Sequence, residues 1–115
     1  MAFTLRWLAG AAEEYERLRA EARRSLQNRQ ARKAKSTKAE GLFKQLHKCI
    51  LLLAENPRHP GLRTHEYHSI ANPFPPDQKV FEAYVQNRTP GAYRVFWCYG
   101  PQPGEITIIA ITPHP

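Results

Sequence analysis

Cysteine is scarce in this chain: Cys49 and Cys98 are the whole complement in 115 residues. One pair is too few for the disulfide framework of a small secreted domain and for a four-thiolate zinc site, so a reducing, cytoplasmic setting and no bound metal are expected. Long apolar runs are missing as well. The longest, Cys49 to Ala54 and Ile108 to Ile111, fall far short of the ~20 residues that span a bilayer, so no membrane association is expected. The segment from Met1 to Ala12 has no basic start, and Arg6 interrupts its apolar stretch, which argues against a secretory leader. There is no glycine-rich phosphate loop, no Gly-x-Ser-x-Gly elbow, no His-Glu-x-x-His and no paired-cysteine metal spacing. Enzymes that depend on those motifs drop out, and no cofactor is expected.

Acidic residues are the other deficit, with ten Asp and Glu against 17 Lys and Arg and a net charge of +7. The excess is local. Residues 1–16 set Arg6 against Glu13, Glu14 and Glu16, and residues 49–115 balance five basic groups with five acidic ones. Residues 17–48 carry eleven Lys and Arg against Glu21 and Glu40 alone. Such a block attracts phosphates or an acidic protein, which makes Arg23, Arg24, Lys33 and Lys35 candidate RNA contacts. The plain alternative is a solvated helix face.

A length of 115 residues fits one domain, spanning 1–115. Phe3, Leu5 and Trp7 alternate with Thr4 and Arg6, the period of a half-buried strand over residues 2–8. From Ala11 the apolar positions Tyr15, Leu18, Ala22 and Leu26 recur at three and four, predicting a helix to about residue 34. Thr37 and Glu40 stand in the spacing of a capping box, so a second helix is predicted from Lys38. Its wide apolar stripe runs from Leu42 to Leu53, and Asn56-Pro57 and Pro60-Gly61 stop it. Leu62 to Tyr67 is an extended candidate, and the Pro-rich run from Asn72 to Asp77 is a loop. Lys79 to Gln86, Tyr93 to Tyr99 and Glu105 to Thr112 are rich in Val, Ile, Phe, Tyr and Trp and are predicted strands, joined by loops of hairpin length. Ile108 to Ile111 is apolar on both faces, which places that strand inside the sheet. The predicted order is β-α-α-β-β-β-β, an α+β domain with a helical hairpin on a small, mostly antiparallel sheet.

The groups left for chemistry are cations and imidazoles: Arg58, His59, Arg63, His65, His68, Arg88, Arg94 and His114. Guanidinium stabilises the charge that develops at a reacting phosphorus, and imidazole moves protons near neutral pH. Arg63 and His65, two apart on an extended segment, are expected on one sheet face, shared with Arg94. His59 and His68 are expected in loops, and the strand aromatics Tyr84, Tyr93, Trp97 and Tyr99 in packing.

Several segments resemble the RelE/ParE superfamily of bacterial toxins from type II toxin–antitoxin pairs. The β-α-α start with its basic hairpin is similar to that architecture. His59 to Tyr67, Val80 to Tyr84, Ala92-Tyr93-Arg94-Val95-Phe96-Trp97 and Ile108 to His114 resemble the four strands that follow. The resemblance covers nearly the whole chain and is closest to the RelE/HigB-like branch. It implies a ribosome-dependent mRNA endoribonuclease working by metal-independent transesterification, neutralised by a small acidic antitoxin. By the same resemblance Arg94 holds the scissile phosphate and His114 is a C-terminal acid or base; from the placement of the residues themselves, His65 is assigned as base with His114 as acid, and Arg63 and Arg88 are candidate RNA contacts. Two departures stand out: Pro115 follows His114 where members carry Tyr, and Tyr84 stands where many carry a basic residue. A ParE-like toxin that inhibits DNA gyrase needs no acid or base and remains the alternative, together with an inactive RNA-binding relic of the fold.

Overall fold

The computed structural model describes residues 2–75, 78–87 and 90–113. Strand β1 spans Thr4–Trp7, and its exposed and half-buried residues alternate as the period-2 pattern requires. Helix α1 spans Ala9–Arg32 and buries Ala11, Leu18 and Ala22. It begins two residues before the predicted start, which puts Glu13 and Glu14 beyond its first turn. Lys33 ends it in the left-handed conformation (φ 54°), its N–H reaching the carbonyls of Arg29 and Gln30. Helix α2 spans Lys38–Glu55, and the Thr37–Glu40 capping box is complete in both directions. Its inward stripe of Leu46, Cys49, Ile50 and Leu53 is buried.

Pro60–Leu62 forms a 3-10 turn, after which β2 (His65–Glu66), β3 (Phe81–Tyr84), β4 (Tyr93–Tyr99) and β5 (Glu105–Pro113) complete the chain. The five strands lie in the order β1-β5-β4-β3-β2. β1 runs parallel to β5, and every other neighbouring pair is antiparallel. β5 is thus an interior strand, with β1 on one side and β4 on the other. Its register against β4 slips between Phe96 and Trp97, leaving Ile109 as the extra residue. The bulge explains why apolar residues continue through Ile108, Ile109, Ala110 and Ile111 without alternation.

The helical hairpin covers one sheet face. Ala83, Val95, Trp97, Ile106, Ile108 and Ile111 pack there with Leu18, Leu46 and Leu53 in one buried core. The opposite face carries Glu82, Tyr84, Arg94, Phe96 and Cys98 by strand alternation. The chain between β2 and β3 folds over one end of that face: Tyr67 packs on Phe96 with ring centroids 4.6 Å apart. Buried Asn72 anchors the same segment, donating to the Lys79 carbonyl and accepting from the Phe74 N–H. At the other end lie Glu82 and Arg94, both buried, and the half-buried Tyr84.

Candidate functional site

The register of β2 against β3 sets His65 directly opposite Glu82. The imidazole Nε2 lies 2.6 Å from Glu82 Oε1, with the His65 side chain 49% exposed and the carboxylate 1% exposed. Nδ1 of the same ring faces the Arg63 carbonyl at 3.2 Å. Both ring nitrogens therefore meet an acceptor. A neutral imidazole has one N–H and serves one of them at a time; the ring that serves both carries two. For His65 to exchange a proton with a substrate in either direction, one of these contacts must open.

Tyr84, two residues beyond Glu82 and on the same face, joins this pair to Arg94. Its ring meets His65 edge-on at 5.6 Å. The Arg94 guanidinium lies over it with Cζ 3.8 Å from the centroid, a cation–π contact set by the β3–β4 register that places Tyr84 beside Arg94. Arg94 is 7% exposed. Its Nη1 donates to the carbonyls of Gln86 at 2.6 Å and Tyr93 at 3.1 Å, bracing the loop between β3 and β4. Its Nε is buried without an acceptor among the described residues. Such an orphaned donor costs roughly 1–3 kcal/mol.

Arg94 and His65 thus share a face as expected, within contact of one tyrosine. Arg63 does not join them. It closes the 3-10 turn in the left-handed conformation (φ 50°) instead of extending into β2, so the two-residue alternation with His65 does not apply. Its side chain lines a cleft with Phe81, Trp97 and Tyr99 on the helix side of the sheet. Arg88 and His114 lie outside the described residues. His59 caps the 3-10 turn, its Nδ1 accepting from the Gly61 N–H. His68, outside the strands, stands 3.8 Å from Glu66.

Glu82 and Tyr84 are functional candidates that sequence patterning passed over as site residues. The signal was present in Phe81-Glu82-Ala83-Tyr84, where one carboxylate interrupts a strand and falls on the face opposite its apolar neighbours. The two thiols are not nucleophile candidates, because burial pushes Cys49 up to about 12 and Cys98 up to about 11.

The hairpin is a second region of interest. Arg17 pairs with Glu14 and Glu21, Arg19 with Glu16, and Arg29 with Glu40. Arg23, Arg24, Lys33 and Lys35 are exposed and make no ion pair among the described residues. The charge excess therefore sits uncompensated toward the tip of a molecule 51 Å long and about half as wide.

This arrangement, a helical hairpin on a five-stranded sheet, is a fold shared with solved structures of YoeB/ParE and RelE toxins. The chain is similar to a YoeB/ParE toxin from Agrobacterium tumefaciens, with a TM-score of 0.61 and 11% identity over 97% of this chain and 99% of that one. It also matches the archaeal RelE–RelB complex from Pyrococcus horikoshii (TM-score 0.56, 11% identity, 98% of this chain and 96% of that chain). The YoeB dimer from Staphylococcus aureus matches over the full length of both chains, at a TM-score of 0.57 and 9% identity. No family model matches the sequence. No curated protein matches it either.

Proposed function

We propose that the protein is the toxin of a type II toxin–antitoxin pair and cuts mRNA on the ribosome by metal-independent transesterification. The observation that carries this reading is the meeting of Arg94 and the His65–Glu82 pair around Tyr84 on one sheet face. In the reaction, the substrate's 2′-oxygen bonds to phosphorus as the bond from phosphorus to the 5′-oxygen breaks. The upstream product is a 2′,3′-cyclic phosphate and the downstream one a free 5′-hydroxyl. Arg94 holds the phosphate through its spare donors and stabilises the charge of the transition state. His65 gives a proton to the leaving 5′-oxygen once its contact with Glu82 or with the Arg63 carbonyl opens. That reverses the role of base expected of it from the sequence, and leaves His114 as the candidate to take the 2′-hydroxyl proton. The basic hairpin docks on ribosomal RNA, and a small acidic antitoxin covers the open sheet face in the cytoplasm.

A test uses programmed ribosomes and end-labelled mRNA in EDTA. Cleavage with a 2′,3′-cyclic phosphate end is expected, and Arg94→Ala should slow single turnover by about 10²- to 10³-fold. A metal requirement, or full activity in folded Arg94→Ala, would overturn the reading.

One observation favours a second reading. Arg94 already spends Nη1 on two backbone carbonyls and is 7% exposed, which is how a purely structural arginine behaves. A ParE-like toxin that inhibits DNA gyrase needs nothing more from it. Loss of supercoiling activity in a gyrase assay, with messages intact, would select this reading.

A further inference from the structure

Across the β2 edge from His65 and Glu82, on the helix side of the sheet, lies a cleft of about 410 Å³. Arg58, His59, Arg63, Phe81, Trp97 and Tyr99 give it its chemistry. Its volume falls within the roughly 300–1,000 Å³ usual for small-ligand sites. The wall is aromatic: Phe81 stacks on Trp97 at 4.9 Å, and Tyr99 meets both edge-on at 5.8 and 5.0 Å. Tyr99 is nevertheless 43% exposed, so this cluster is not sealed into the core.

Apart from the Thr64 and Tyr99 hydroxyls the polar side chains of the cleft are cations and N–H donors, and no carboxylate lines it. Arg58 and Arg63 are exposed and make no ion pair among the described residues. Arg63 is set in place by a left-handed backbone at φ 50°, a conformation that a non-glycine residue adopts only when its surroundings impose it. The Nδ1 of His59 is occupied by the Gly61 N–H at 2.9 Å, which leaves Nε2 as the donor of the neutral ring. Trp97 is 1% exposed, and its Nε1 has no acceptor among the described residues. Two exposed guanidiniums and an imidazole N–H beside an exposed aromatic ring call for a ligand with an anion and a flat π-face.

We propose that this cleft binds one nucleotide of a single-stranded nucleic acid, with the base against Tyr99 and Phe81 and the flanking phosphates at Arg58 and Arg63. A duplex hides its base faces in the stack, whereas an unpaired segment can turn one toward an aromatic side chain. The subsite is separate from the Arg94 face and does not depend on the cleavage chemistry. A strand crossing the short β2 edge would reach both.

The experiment uses the full chain with Trp7→Phe, which leaves Trp97 as the single tryptophan of the original two. It is titrated with hexaadenylate RNA and, separately, hexaadenylate DNA while Trp97 fluorescence is followed. In the unsubstituted chain, the Trp97 indole N–H resonance gives the same information should Trp7→Phe perturb folding. Saturable quenching is expected, and the tighter oligomer names the source. Arg58→Gln with Arg63→Asn, the latter chosen because Asn tolerates the left-handed region, should weaken binding at least tenfold. It should also flatten the salt dependence by about 1.4 log units per log unit, two cations at about 0.7 each. Tyr99→Ser should abolish quenching and Tyr99→Phe should keep it. Adenosine monophosphate should compete where inorganic phosphate does not. In an Arg94→Ala background the Arg58/Arg63 substitutions should still weaken binding by the same factor, so the two proposals fail separately. Absence of quenching by either oligomer, an unaffected Arg58/Arg63 variant, or equal competition by phosphate would each overturn the proposal.

Discussion

His65 and Glu82 face each other across β2 and β3 with Nε2 and Oε1 2.6 Å apart, an imidazole half in solvent against a carboxylate almost wholly out of it. Breaking such a contact costs through the group left behind in the interior more than through the attraction lost. The exposed half of the pair discounts any simple Coulomb estimate, because solvent screens it.

The two residues should therefore behave as a unit in catalysis. Glu82→Gln keeps the shape and removes the charge, and a loss of about 10- to 100-fold in single-turnover cleavage is expected. His65→Ala should cost about 10²- to 10⁴-fold, the usual worth of a positioned acid. The double variant should be no slower than His65→Ala alone, since contacting residues are non-additive. Additive losses in that cycle, with circular dichroism native throughout, would show that Glu82 does not work through His65.

Arg94 is held by three features that lysine cannot reproduce: a planar stack on Tyr84 and two N–H bonds from one Nη1 to the carbonyls of Gln86 and Tyr93. Arg94→Lys is accordingly expected to lose nearly as much cleavage as Arg94→Ala despite keeping the charge. Tyr84→Leu should retain the fold and lose part of the activity, because the guanidinium loses its platform. Hydrogen exchange of the loop around Gln86 should rise in the Arg94 variants. Slow exchange there in Arg94→Ala would mean the brace is not what orders the loop.

The parts of this structure legible in the sequence are those set by near neighbours. The Thr37–Glu40 box announced the start of α2, and the aromatic run Tyr93–Tyr99 is β4 from end to end. The doubly apolar run in β5 marked an interior strand. What escaped depended on distant pairing. Nothing local to Glu82 says that His65 lies opposite it, since that contact is made by the register of two strands separated by a long loop. Arg63 was misplaced for a local reason: Pro60-Gly61-Leu62 winds into a 3-10 turn and leaves Arg63 left-handed, so counting by twos from His65 ran through a segment that is not extended.

Glu40 ties the two helices together at the hairpin. Desolvation pushes its carboxyl up, but hydrogen bonds from Arg29, the Thr37 backbone and Ser25 outweigh it and hold the carboxyl below its ordinary 4.5. A group depressed in the folded state stabilises above its unfolded value and loses that contribution as pH falls through the folded one. The melting temperature should thus fall on acidification below about pH 4.5, and less steeply in Glu40→Gln than in the parent. Thr37→Ala, which removes the other half of the box, should cost about 1 kcal/mol at neutral pH. Identical acid limbs for Glu40→Gln and the parent would remove Glu40 from the account.

The hairpin surface yields the last expectation. Arg23, Arg24, Lys33 and Lys35 have no carboxylate within ion-pair distance among the described residues, so their charge is available to a partner. If that partner is ribosomal RNA, each cation at a phosphate releases a counterion, and affinity must fall linearly on a log–log plot against salt. Reversing all four to Glu should weaken ribosome binding strongly at low salt and flatten the slope by roughly three units, at about 0.7 to 0.9 per contact. The fold should survive, because all four side chains are exposed. Cleavage of mRNA presented at saturating ribosome concentration should recover much of its rate, since the substituted residues lie on α1 and the connection that follows it, and the proposed chemistry lies on the sheet. A native circular dichroism spectrum with unchanged affinity across the salt series would reduce the hairpin to a solvated face and leave docking to be sought elsewhere on the molecule.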